Sequence, residues 1–594
     1  MIKINKATTI RNNLILLRKI FHYNKTAFFL RIFVALLDSV STVLTIVMPM
    51  YLIEAILGGD LREVLFVAIV FTALFLIIRY INIAYAAYES VVRGKFHIKI
   101  IDEFLLKTIG LDIGFFDDTT SYDKYNRAFG NCCDVVNSVN AILTSLVTAI
   151  FNVIFIVGLL VWMDLYMFAV IFAAIAVSIL VNNKLKRIEY DFSKSLSEKN
   201  KQVNYLYRLF YVPQLIREMK VNDLSNHIFK IKQDFDGDIV NLTKKQEKQK
   251  VPYNVLLGTL NILESSFVAV YFGFSVILQR IVIAEYFTFV NAFNQLKNTI
   301  MNLTSVYTQL YRNSLFASDY IDYLDSKETS TTNEAGEILT EVKDIEFVNV
   351  SFKYPNNDTL ALNNVSFKIS GGDRVAIIGK NGAGKTTIIK LLLRLYDPIA
   401  GEILINSINV KDYNTKSLRT TIQTLFQDFE LYAFSIKENI SLGRDVSQND
   451  IWGALEKVDL KEKIKNLKHS LNTPITSQLH AEGVELSGGE AQKIAIARIY
   501  ANKPKTFIMD EPTSSLDPYS EYQLYHKLME NSDKGSIVVV ISHRLTLTYK
   551  MSKIMVINNG CLIEQGSHNE LMSLQGIYYE MYNIQAEKYS TQTN

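Results

Sequence analysis

The chain has 594 residues, 62 basic and 59 acidic, for a formal net charge of +3. Hydrophobic residues make up 49% and charged residues only 20%, less than the roughly 25% charge typical of soluble domains, which excludes a wholly soluble enzyme. The apolar content also excludes disorder, and the near-neutral balance gives nucleic-acid binding no support. Three cysteines, Cys132, Cys133 and Cys561, are too few for a disulfide scaffold or a Cys-built zinc site.

Residues 1–26 form a tail with six Lys or Arg and no acid. Its one apolar patch is broken by Arg18 and Lys19, unlike a cleaved secretory signal. Without a cysteine, it is not expected to hold a Cys-protease domain. Six apolar runs follow, at 27–57, 64–87, 139–163, 165–180, 251–278 and 282–310. Each reaches or approaches the ~20 residues that cross a bilayer, so residues 27–325 are expected to form a six-helix membrane domain in the cell membrane. The connections near 58–62, 164 and 279–280 are short. The long charged segments 88–138 and 182–250 therefore share a side with the basic N-terminus, and the positive-inside rule makes that side cytoplasmic. Their helical spacing predicts membrane helices that extend past the bilayer and turn near 115–127 and 207–222. Phe116, Asp117, Tyr122, Arg208 and Pro213 mark those turns.

Polar residues recur at helical spacing inside several runs: Asp38, Ser41, Thr42 and Thr45 in the first, and Asn254, Asn261 and Ser265 beside Glu264 in the fifth. Asn291, Asn294, Gln295, Asn298 and Asn302 form a stripe on the sixth. Such groups face protein or water rather than lipid. One reading is a translocation cavity involving Asp38, Glu264, Asn291, Gln295 and Asn298, with the two acids drawing a cationic substrate. The other is hydrogen bonding between helices.

At 326–341 the composition turns polar and breaker-rich, as in a linker. From 342 to 594, short β-rich runs at 345–354, 365–369, 375–378, 403–405, 507–509, 537–541 and 554–557 alternate with helical patterns. This predicts a cytosolic α/β domain with a largely parallel sheet.

The chemistry lies here. Gly379-Lys380-Asn381-Gly382-Ala383-Gly384-Lys385-Thr386-Thr387 follows the strand at 375–378 and opens a helix. Glycines let the backbone wrap phosphates and aim N–H groups and a helix N-terminus at them. Lys385 supplies charge for the β- and γ-phosphates, and Thr386 a hydroxyl for Mg²⁺. The apolar strand at 506–509 ends in Asp510-Glu511, which places two carboxylates where ligands bind in such sheets. Asp510 suits Mg²⁺, and Glu511 suits orienting or deprotonating an attacking water.

Between these motifs stands Leu486-Ser487-Gly488-Gly489-Glu490. The order of phosphate loop, Gln427, Leu-Ser-Gly-Gly, Asp510-Glu511, Ser515-Leu516-Asp517 and His543 resembles the nucleotide-binding domain of ABC transporters. With six membrane helices ahead of it, the whole chain resembles an ABC exporter half-transporter, whose ATPase part has a RecA-like core and a helical subdomain. The resemblance implies that Tyr354 stacks on adenine and that Gln427 links Mg²⁺ and water to the membrane domain. It also implies that Ser487, Gly488 and Gly489 close on ATP bound to the opposite subunit, that Asp517 communicates between the two sites and that His543 contacts the γ-phosphate.

Three departures stand out. Glu490 replaces the usual Gln, Leu479-His480-Ala481-Glu482-Gly483 replaces a Gly-Glu-X-Gly segment, and Asn406-Ser407 replaces an Asp-Gly turn, a change read as neutral. One signature and one phosphate loop cannot complete a site alone, so the resemblance implies a second half-transporter. Because Lys385, Glu511 and His543 are all present, an identical subunit is expected. The expected activity is ATP-driven transport by alternating access, with export of a peptide or amphipathic molecule favoured. Lipid or multidrug export, import on the same fold, and an ATP-gated channel or sensor stay open.

Overall fold

The computed structural model describes residues 6–160, 165–326, 331, 333–355, 357–511, 523, 526, 535–542 and 545–590. The chain divides into two compact units, one of residues 1–105 and 124–325, the other of residues 106–123 and 326–594.

The first unit is helical: α1 (Lys6–Tyr23), α2 (Lys25–Gly58), α3 (Leu61–Ile109, whose end enters the second unit), α5 (Thr119–Leu160), α6 (Leu165–Tyr211), α7 (Pro213–Val221), α8 (Ser225–Ile277) and α9 (Ile283–Leu324). Between α3 and α5 lies the short α4 (Ile113–Asp117). Four described helices, α2, α3, α5 and α8, are long and apolar enough to cross a membrane. α9 is not among them because of its Asn and Gln residues, and residues 161–164, at the end of the third expected run and just before the fourth, lie outside the described residues. Apolar side chains on α3, such as Phe66, Ile69 and Ile77, are exposed, as a lipid-facing surface requires. Ile46, Ile156, Phe272, Phe293 and Leu296, from α2, α5, α8 and α9, form a packed core.

The expected tail is largely helix α1. Its Asn13 donates to the Leu310 carbonyl at 3.0 Å and accepts from Asn313 at 2.9 Å. Two buried asparagines replace apolar contacts there, so apolar periodicity alone did not show an ordered element.

Among the described residues, the second unit holds ten strands in two sheets. A four-stranded antiparallel sheet has the order β2 (Leu362–Ser370), β1 (Asp344–Phe352), β4 (Ala400–Ile405), β5 (Ile408–Asn409). A six-stranded sheet has the order β10 (Cys561–Gly566), β9 (Lys553–Asn558), β3 (Arg374–Ile378), β8 (Ile537–Ile541), β7 (Thr506–Asp510), β6 (Ile422–Leu425). All its pairings are parallel except β9 with β10. β3 and β7 are buried along nearly their whole length, which explains their continuous apolar runs.

Helices α10 (Lys385–Leu392), α11 (Thr415–Thr421), α12 (Ile436–Ser441), α13 (Gln448–Lys457), α14 (Lys461–Lys465), α15 (Gly488–Asn502), α16 (His568–Leu574) and α17 (Ile577–Ser590) complete the described part of this unit. The end of the expected linker packs onto it. Glu337 N–H donates to the Asp412 carbonyl at 2.9 Å, and Asn414 N–H donates to the Glu337 carbonyl at 2.8 Å. Gly336 permits this approach, because a Cβ there would lie 2.4 Å from the Tyr413 backbone.

Candidate ATP site and its connections

β3 feeds the phosphate loop directly into α10. Gly384, at φ 102°, is where the loop becomes helix, and a Cβ on it would lie 2.5 Å from the Ala361 carbonyl oxygen. Gly379 is as tightly enclosed, with the Ile557 carbonyl oxygen 2.1 Å from its would-be Cβ. No side chain fits either position, so the loop backbone stays bare for an anion. Lys385 is buried and donates to the Gly379 and Lys380 carbonyls, both at 3.0 Å. Burial holds its ammonium below the usual lysine range, while Glu511 and Asp510 act in the opposite direction. Gly382 has open space where a Cβ would stand, and Ala383 is buried; Lys380 and Asn381 are exposed.

The end of β7 reaches the same helix start. The Thr386 hydroxyl donates to Asp510 Oδ2 at 2.6 Å, and Asp510 is 1% exposed. Two hard oxygens meeting beside a phosphate loop fit Mg²⁺, which is held by one or two protein oxygens plus phosphates and waters. Among the described residues there is no cluster of three or more His, Cys, Asp and Glu that would form an all-protein cage. Glu511 follows at φ 47°, an uncommon backbone state for a non-glycine residue; its N–H is fixed to the Ile541 carbonyl at 3.0 Å. Gln427 is exposed on the turn after β6. Asp517 and His543 lie outside the described residues.

Tyr354 closes one edge. Its hydroxyl lies 3.0 Å from that of Thr387, and the Lys390 ammonium is 5.3 Å from its ring centre. It lines a cleft of about 620 Å³ with Asp112, Gly114, Lys353, Asn357 and Tyr396. Thus the turn containing α4 sits on the ATPase unit, where Tyr396 donates its hydroxyl to the Asp117 carboxylate. Phe116 is half-buried there and Tyr122 exposed. In the first unit, Arg208 is exposed near the end of α6. Pro213 opens α7, where a missing N–H costs nothing. Met219 of α7 packs against Leu206 and Ile228.

The signature segment caps α15. Ser487 and Gly488 are exposed, Gly489 is half-buried, and a Cβ on Gly488 would meet nothing within 4 Å. Glu490 is not idle. Its carboxylate accepts from the Ser487 N–H at 3.1 Å in a capping box and pairs with Lys463 of α14. Glu482 is engaged by Lys468 and by His469 Nε2, the latter at 2.7 Å. Arg498, which the motif reading missed, donates to the Asn439 carbonyl and to the Glu430 carbonyl, both at 2.8 Å. It thereby ties the signature helix to the segment after Gln427. Its sequence signal was a single arginine inside the apolar stretch Ile494–Tyr500 of that helix.

Both cavity acids also have partners. Asp38 accepts from Asn82 at 2.7 Å, and Glu264 is paired with Lys297 at 2.5 Å. Glu264 thus has a cationic partner within the chain, whereas the partner of Asp38 is a neutral amide. Asn291, Asn298 and Asn302 are exposed on α9, with Gln295 half-buried beside them.

A helical membrane domain and an ATPase unit with these loops define a membrane-embedded P-loop ATPase. Residues 362–514 match the ABC transporter family. The structure superposes on a bacterial Atm1-family ABC exporter with ATP bound at a TM-score of 0.78, with 22% identity over 95% of this chain and 98% of that one. The chain has the architecture of an ABC exporter half-transporter, a helical membrane domain followed by one ABC ATPase domain. Among curated relatives, it is 31% identical to the subtilin transport ATP-binding protein SpaT of Bacillus subtilis, over 61% of this chain and 60% of that protein. It is 33% identical to the ATP-dependent lipid A-core flippase of Alcanivorax borkumensis, over 58% of this chain and 60% of that one. It is 38% identical to multidrug resistance protein 1 of Entamoeba histolytica, over 42% of this chain and 19% of that one. The chain thus matches three-fifths or less of the length of these relatives.

Proposed function

We propose that this chain exports a peptide or amphipathic small molecule, powered by ATP, as one half of a homodimer in the cell membrane with its ATPase domain in the cytoplasm. The observation that carries this reading is the uncovered polar face of α9. Asn291, Asn298 and Asn302 are exposed in the single chain, inside a run long enough to cross a bilayer. Lipid offers these amides no partner, so a second subunit or a water-filled passage must cover them. The exposed Ser487 and Gly488 at the start of α15 support the same conclusion for the ATPase domain, since a helix N-terminus suits a phosphate supplied by a partner.

In this reading Lys385 and the loop backbone bind the phosphates, Thr386 and Asp510 hold Mg²⁺, and Glu511 prepares water for attack. Tyr354 contacts the base, while Gln427, Asp517 and His543 connect the reaction to closure of the dimer. The turns at Phe116–Asp117–Tyr122 and Arg208–Pro213 pass that closure to the membrane helices. The relatives' names cover a peptide, a lipid and drugs. Asn and Gln, which both donate and accept hydrogen bonds, favour a peptide-like or amphipathic cargo.

Reconstitution in inverted vesicles tests the proposal. ATP should drive uptake of a fluorescent amphiphilic peptide, and Glu511→Gln should lower ATP turnover by about 10²-fold or more. Full turnover in that variant would overturn the assignment of Glu511, and efflux rather than uptake would overturn export.

A further inference from the structure

Each of the two polar membrane helices carries one charge through its central span, Glu264 on α8 and Lys297 on α9. Both lie about 20 Å along the helix from the connection joining them, at 1.5 Å per residue, which is within the ~30 Å hydrocarbon layer. The structure brings them together at 2.5 Å, with side chains only 8% and 12% exposed. An ionisable pair at that depth is costly and calls for a function. The pair is incompletely satisfied: Glu264 Oε1 and the Asn261 side-chain oxygen are buried and have no hydrogen-bond partner. Asn261 and Glu264 are one turn apart on α8, and residues three apart share a face. The carboxylate thus has one spare oxygen of its own and a second spare acceptor on Asn261, while its Oε2 already holds a primary ammonium.

We propose that Glu264 and Asn261 form a binding site for the primary ammonium of an amphipathic substrate, with Lys297 as its built-in competitor. The inference rests on the transport reading above and names its substrate class. The site already holds the ammonium end of a lysine, so a ligand ammonium meets the same geometry. Exchange keeps one cation on the carboxylate and brings one added positive charge into the layer, which the released Lys297 carries toward the polar face of its own helix. The released Lys297 has the half-buried Asn294 and the exposed Asn298 of its own helix beside it. A quaternary ammonium has the charge but no N–H to give the two acceptors, so the site distinguishes the two.

The test is equilibrium binding of dodecylammonium and dodecyltrimethylammonium to the full chain in lipid nanodiscs, corrected for binding to empty nanodiscs. Wild type should bind dodecylammonium at least about tenfold more tightly. Lys297→Met should tighten that binding further by about tenfold, because the competitor is gone, whereas Glu264→Gln should bring the two amphiphiles to parity. A purely structural ion pair predicts instead that both substitutions weaken binding or leave it unchanged. Should a single variant misfold, Glu264→Gln/Lys297→Met removes both charges together and should also show parity.

Equal binding of both amphiphiles by wild type, no specific binding of either, or unchanged or looser binding by Lys297→Met would overturn the proposal. The assay uses no ATP, so a failure of ATP-driven export leaves its outcome readable, and export of some other cargo survives a negative result.

Discussion

Tyr396, one turn past the phosphate-loop helix, donates its hydroxyl to the carboxylate of Asp117 in the turn that joins α3 to α5. Tyr396 is 6% exposed, and burial raises its phenol above the usual range, with the Asp117 contact acting in the same direction. The phenol is therefore a fixed donor at physiological pH. A hydrogen bond to a charged group contributes about 1.5–3 kcal/mol. Tyr396→Phe should preserve basal ATP turnover within about twofold while cutting its stimulation by transported amphiphile several-fold. The ratio of stimulated to basal turnover in nanodiscs checks this, and an unchanged ratio would show that the contact carries no coupling.

The Asn406-Ser407 turn, read from sequence as neutral, is a structural clasp. Asn406 Oδ1 accepts from the Lys343 N–H at 2.7 Å, and its amide donates to the Glu341 carbonyl at 2.8 Å. Both residues have positive φ, 53° and 66°, a state that glycine adopts freely and serine does not. Ser407→Gly should therefore stabilise the ATPase domain by about 0.5–1 kcal/mol, raising its unfolding midpoint by about 2–4 °C. Asn406→Ala should lower stability by a similar or larger amount, since it frees two backbone N–H groups and a carbonyl. Calorimetry of the two variants should give shifts of opposite sign.

Glu490 gives a pH-dependent prediction. Lys463 first, and then the Ser487 backbone N–H, hold its carboxylate below the usual glutamate range. A depressed folded-state pKa means stability that is present above the unfolded value and lost as pH falls through the folded one. With both partners partly exposed, solvent screening limits the gain to about 0.5–1 kcal/mol. Glu490→Gln should lower the unfolding midpoint at pH 7 and lose that deficit below about pH 4, where the wild-type carboxylate begins to protonate. A pH-independent difference would assign the effect to the cap rather than to the charge.

The parts of the site that were legible in sequence are those built from consecutive residues. Gly379 to Thr387 is a contiguous run whose backbone does the chemistry, and β7 delivers Asp510 at the end of an unbroken apolar strand. Contacts set by folding were not legible. Tyr396 and Asp117 are 279 residues apart in sequence, and nothing in either neighbourhood points to the other. Arg498 acts on backbone carbonyls, which have no sequence signature of their own. Glu264 and Lys297 lie between these extremes. Glu264 is visible as the lone charge of its run and Lys297 as one of two in its own, but only helix packing shows that they neutralise one another.

Labelling along the exposed stripe on α9 tells a water-filled passage from a lipid-facing surface. Asn298 is exposed on α9, and Ile262 is 68% exposed on α8. An amide facing lipid would have no hydrogen-bond partner, whereas an isoleucine there is at ease. With Cys132, Cys133 and Cys561 replaced, Asn298→Cys should react with a membrane-impermeant maleimide in inverted vesicles about tenfold faster than Ile262→Cys. Trapping the ATP-bound state with Glu511→Gln should then slow the Asn298→Cys reaction, because closure of the ATPase domains removes access from the cytoplasmic side. Equal rates at the two positions would place α9 against lipid or buried helix, and the polar stripe would be a helix-packing surface. Faster labelling of Asn298→Cys that ATP leaves unchanged would keep the passage but separate it from the ATPase cycle.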